Sequence, residues 1–185
     1  MKKILLLLSL IISMVCNGQS HDIREVNWGW SMSKVKEAEK LKLFHQNESS
    51  IFYHGDLDNK NFSVIYQFVK SKLVHLFYVY NETHINMNNY VEAYNDLKQI
   101  LSDKYSNNIY DSTIWKNDLF KNKPDDVGLA CSVGHVLFHS RWGSNDEKTQ
   151  VDLVCAAENY TINLGIVYTS VQFQSLIDNE TRKKT

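Results

Sequence analysis

Between residues 86 and 106 the apolar positions Tyr90, Val91, Tyr94, Leu97, Ile100, Leu101 and Tyr105 return every three or four residues, with Glu92, Asp96, Lys98 and Asp103 set between them. This spacing draws one apolar stripe along a rod, and it predicts a long amphipathic helix. A shorter version of the pattern lies upstream, where Val35, Ala38 and Leu41 share a face. Ser31 stands at the N-cap position, and Trp30 before it is placed to staple onto Val35. After each helix the period falls to two. Downstream of the first, 62–69 sets Phe62, Val64, Tyr66 and Phe68 against Ser63, Ile65 and Gln67; 73–80 is apolar on both sides, and 51–54 is a shorter candidate. Lys70-Ser71-Lys72 makes the last two a hairpin. Strand 73–80, apolar all round, is expected at the centre of a sheet with the long helix over one side.

Downstream of the second helix come a brief strand at 112–115 and a short helix through Leu129, Ala130 and Val133, opened by Pro124, Asp125 and Asp126. Strands at 135–142, 150–156 and 160–168 follow, joined by polar turns at 143–146 and 158–159. Ser170 can cap a last helix carrying Phe173, Leu176 and Ile177, which runs into a charged tail. The pattern predicts an α+β fold of two tandem repeats, each a helix with antiparallel strands, at 19–85 and 86–170, and then a C-terminal helix and tail at 171–185.

The first residues read as an address. Lys2 and Lys3 precede an apolar run from 4 to 15 that is short for a membrane span, and Cys16, Asn17 and Gly18 follow. A secretory signal peptide at 1–18 is expected, with cleavage after Gly18 and a periplasmic or extracellular destination. A lipoprotein anchor at Cys16 is the rival reading, disfavoured by Val15 immediately before it. Losing Lys2 and Lys3 takes the formal charge from −1 to −3. That mild acidity, without a basic block ahead of the tail, argues against a nucleic-acid partner. No later run is long enough to be a transmembrane segment. One proline, seven glycines and 12% aromatic residues describe an ordered chain.

Candidate chemistry is sparse. Cys131 and Cys155 would survive export; bridged, they would close a loop of about two dozen residues and add ~3 kcal/mol, and unbridged they would pack as small hydrophobes. The spacing leaves both states open. His135 and His139, four apart, lack the adjacent glutamate and the third ligand of a zinc site, so no metal is expected. Residues 56–61 resemble a calcium loop, but Lys60 occupies an acceptor position and neither the turn glycine nor the closing glutamate is present, so a polar hairpin turn is expected. No nucleophile elbow or phosphate loop occurs. The chain is read as a non-enzyme without cofactors.

The run Trp28-Gly29-Trp30-Ser31 into Val35 and Glu39, the tyrosine-rich hairpin and the helix ending Leu101-Ser102-Asp103-Lys104-Tyr105 have a joint resonance. With the lone Trp115 and the close Val167-Tyr168-Thr169-Ser170, they resemble small exported bacterial proteins. The helix-then-sheet repeat is similar to the SmpA/BamE-like and beta-lactamase-inhibitor-protein-like (BLIP-like) folds. The resemblance implies an envelope-associated module that contacts other proteins and carries over no catalytic residue. Polar-tipped rings are the candidate contacts, with Tyr66, Tyr78, Trp115 and Trp142 as the binding set, on a sheet face left open; the same rings could equally fill a core. The expected function is a binding module that meets another cell-envelope protein through an aromatic-rich sheet face. The alternative is a carrier of a small apolar ligand or lipid between helix and sheet.

Overall fold

The computed structural model describes residues 21–105 and 107–183; the expected leader, its cleavage site and Cys16 lie outside them. In chain order the elements are α1 (Met32–Ala38), β1 (Lys42–Gln46), β2 (Ser50–Leu57), β3 (Lys60–Val69), β4 (Lys72–Tyr80), α2 (Asn88–Lys104), β5 (Asn107–Trp115), α3 (Val127–Ser132), β6 (Val136–Gly143), β7 (Thr149–Glu158), β8 (Thr161–Ser170) and α4 (Gln174–Arg182). Two 3-10 turns, Asp118–Phe120 and Pro124–Asp126, lead into α3. The fold is α+β, as the sequence pattern predicts. The eight strands of the described residues form one antiparallel sheet in the order β1-β2-β3-β4-β8-β7-β6-β5.

Tight turns set the register. Asp58-Asn59, Lys70-Ser71 and Asn159-Tyr160 each hold both residues at positive φ, the conformation whose twist matches that of paired strands. The calcium-like stretch is thus the β2–β3 hairpin, with Asp58-Asn59 at its tip. β4 is central, as expected. Its residues 75–79 run against residues 165–169 of β8, and this seam joins the two groups of four strands.

One sheet face is covered. Phe62, Val64, Tyr66, Leu76, Tyr78, Leu153, Cys155, Leu164, Ile166, Tyr168 and Trp142 point to it and are buried. The long helix does not sit where the sequence reading put it. α2 packs over β7, with β6 and β8 to either side, and reaches β4 at its end, where Tyr90 lies edge-on to Tyr80. The reason is its start: Asn88 accepts a hydrogen bond from the Gly128 N–H (2.6 Å) and donates one to the Asp125 carbonyl (2.7 Å), tying α2 to α3. Only glycine fits at 128, because a Cβ there would overlap the backbone of Met87 and Asn88. Tyr94, Leu97 and Leu101 then fill the space beneath α2, each worth about 1.5–3 kcal/mol of burial.

The β2–β4 half of the covered face is closed by residues 21–30 and α1. Ser31 caps α1 as predicted, accepting from the Lys34 N–H, and Val35 is fully buried. The Glu39 carboxylate just past α1 binds the Tyr66 hydroxyl. It also accepts from the Arg24 guanidinium (Nε 3.1 Å) and from the Leu41 N–H (3.0 Å), while Arg24 Nη1 donates to the Tyr78 hydroxyl at 2.7 Å. Burial opposes the Glu39 charge, yet these donors outweigh it and hold the carboxyl below its usual range.

Two elements differ from the sequence reading. β1 was not expected, because all five of its residues are exposed and a strand wet on both faces shows no alternation. β5 begins at Asn107, well before the stretch 112–115 where its apolar signal lies. Of the two states the spacing leaves open for the cysteines, the structure has the unbridged one: the Cys131 and Cys155 sulfurs are buried free thiols 3.9 Å apart, well beyond a bond. The neighbouring Cys131 thiol and burial push the Cys155 thiol upward.

Candidate interaction face

The opposite face of the sheet carries Ile65, Phe77, Val79, Val154, Val167, Leu137 and Ile114, all half-buried or exposed. Strand alternation places them there, since each lies one residue from a side chain on the covered side. α4 reaches only one end of this face. Phe173 rests on Gly29 and beneath Lys72 Nζ, and Ile177 lines a cleft of about 470 Å³ together with Gln67 and His75.

At the β4–β8 seam the face sinks into an apolar hollow of about 360 Å³, lined by Phe77, Val79, Val154, Ala156, Gly165 and Val167. Gly165 makes its floor. A Cβ at this position would lie 2.8 Å from the Tyr78 carbonyl oxygen, so the close approach of β4 and β8 and the depth of the hollow share one cause.

A polar cluster stands beside it. Asp152 is two residues from Val154 along β7, about 7 Å on the same face. Its Oδ1 accepts from His139 (Nε2, 2.6 Å) and from Arg141 (Nε, 2.7 Å), and its Oδ2 from Gln150 (Nε2, 2.8 Å). Tyr110 sits edge-on to the His139 ring at 5.2 Å. Burial works against the Asp152 charge, but His139, Arg141 and Gln150 together hold its carboxyl below the usual range. The carboxylate is nearly sealed, with 11% of its side chain exposed, whereas Arg141 keeps 37% and His139 24%. The cluster therefore offers an oriented guanidinium and imidazole to whatever meets the face.

The residues expected from sequence lie elsewhere. Tyr66, Tyr78 and Trp142 are interior to the covered face, and Trp115, at the end of β5, is half-buried against the same core. Their hydroxyls and rings are turned inward because they share strand parity with Val64, Leu76 and Ser140. The aromatic-rich face is thus the one beneath the helices. His135 and His139 have separate neighbours: His135 lies against Phe120 at the α3–β6 turn, and His139 joins Asp152. Among the described residues no group of three His, Cys, Asp or Glu side chains could hold a metal, and no helix is long and apolar enough to cross a membrane. Sequence reasoning missed the hollow and the cluster. A glycine inside the apolar run 160–168 and an aspartate inside 150–156 were the visible signals, each an interruption of strand chemistry.

Comparison with known protein families, with curated proteins and with solved structures finds no match.

Proposed function

We propose that the protein is an exported, non-enzymatic binding module that contacts another cell-envelope protein through the uncovered face of its sheet. The observation that carries this reading is the apolar hollow over Gly165, placed next to the partly exposed Arg141 and His139. An apolar anchor site bordered by oriented charge is the composition of a protein-contact hot spot. The element order supports the tandem-repeat reading and the resemblance to BLIP-like and SmpA/BamE-like modules. A helix followed by four strands occurs as α1 with β1 to β4, and again as α2 with β5 to β8. The alternative, an apolar ligand held between helix and sheet, is less well supported, because Tyr94, Leu97 and Leu101 occupy the space under α2.

Site-specific photo-crosslinking in the native envelope tests the proposal. A crosslinker at Val79, 39% exposed on the open face, is expected to capture one discrete protein, and one at Glu92 on the outer side of α2 is not. Equal capture from both positions, or none from Val79, overturns the reading.

A further inference from the structure

We infer that two copies of this chain pair edge to edge through β5, antiparallel, about a dyad normal to the sheet at Ser112. This goes beyond the partner proposed above and does not depend on it.

Among the described residues β5 ends the sheet and pairs only with β6, so one side of its nine-residue backbone has no strand partner there. Such an edge is a template for another strand unless something blunts it. The opposite edge is blunted: β1 has five residues, and its register with β2 breaks in the middle, between Leu43 and His45. In β5 the irregularity lies at the start, between Asn108 and Tyr110, and 110–115 then run in unbroken register against β6. Apolar side chains cluster on this edge, with Ile109 59%, Tyr110 40% and Ile114 38% exposed.

The strand is complementary to itself in one register. A dyad normal to the sheet keeps each side chain on its own face, so Tyr110, Ser112 and Ile114 of one copy meet Ile114, Ser112 and Tyr110 of the other on the open face. On the covered face Asp111 meets Thr113 of the second copy. Aromatic against β-branched and carboxylate against hydroxyl are favourable cross-strand pairs. Moving the dyad to residue 111 sets Asp111 against Asp111, a like-charge pair, and moving it to 113 carries the pairing past Trp115, where β5 ends; Ser112 avoids both. The pairing places the two uncovered faces side by side, as one surface of twice the width.

Sedimentation equilibrium of the purified protein across concentrations tests this, with two double variants at exposed positions whose folding is checked by thermal melts. Wild type is expected to dimerise reversibly. Y110K/I114K sets lysine against lysine at both symmetry-related pairs and is expected to weaken the dimer about tenfold or more. Y110K/I114E sets lysine against glutamate in the same register and is expected to restore it. A wild type that stays monomeric to about millimolar concentration, or two variants that dimerise equally well, overturns the inference.

Discussion

Two carboxylates, one on each face of the sheet, have nearly the same local chemistry and opposite roles. Glu39 and Asp152 are each ringed by donors that include an arginine Nε, and each is held below the usual carboxylate range against the effect of burial. The donors of Glu39 come from residue 24, the turn after α1 and β3, so the cluster ties together segments distant in the chain and is closed over by them. The donors of Asp152 come from β6 and β7 of the same sheet face, and no helix of the described residues covers them. A satisfied charge under a helix fastens the fold; the same arrangement on an uncovered face presents its donors outward.

Removing the two carboxylates separates the roles most sharply. Glu39→Ala leaves the fully buried Tyr66 hydroxyl without its acceptor and Arg24 without its counter-charge, and is expected to cost about 3 kcal/mol. Asp152→Ala frees Arg141 and His139, both already partly in water, and is expected to cost only about 1 kcal/mol. Chemical denaturation of both variants measures the gap, and equal losses would erase the distinction.

Gly165→Ala comes next. Its Cβ would press on the Tyr78 carbonyl across the β4–β8 seam, at an expected cost of about 1–3 kcal/mol, and it would partly fill the hollow. A thermal melt reads the first effect and crosslinking from Val79 the second.

Acid comes third. Both carboxyls titrate below their unfolded values, so each contributes stability that is complete above about pH 4 and is lost as pH falls through the lower, folded value. Denaturation between pH 5 and pH 2 should therefore show falling stability in the wild type and a shallower fall in Asp152→Asn. An unchanged slope would mean that the Asp152 cluster contributes nothing.

The smallest effect is expected on the open face itself. Val79→Thr should change stability by no more than about 0.5 kcal/mol. Val64→Thr, at a fully buried position on the neighbouring strand, should cost about 1–3 kcal/mol for burying a hydroxyl.

Much of the fold was legible along the chain. The periodicity of 90–105 found α2, and the alternation of 62–69 and 160–168 found β3 and β8, because each buries one side against a core and burial imprints a period on sequence; the continuous apolar run 73–80 found the central β4. β1 and residues 108–111 of β5 left no imprint, being exposed on both sides. The candidate site was the least legible part. Tyr66, Tyr78 and Trp142 have the side chains of a binding surface, but strand parity turns them under the helices. The cluster that does face outward joins His139 and Arg141 on one strand to Asp152 on the next.

The sequence by itself determined most of the local elements, the exposed β1 and the start of β5 excepted, together with their turns and which residues share a face, since these depend on neighbours a few positions away. Only the tertiary structure decided that the strands fuse into one sheet at the β4–β8 seam, that α2 lies over β6 to β8, and that the face carrying Phe77, Gly165 and Asp152 stays bare. Those outcomes rest on contacts between residues far apart in the chain, such as Val79 with Gly165 and Asn88 with Gly128, and no short-range pattern encodes them.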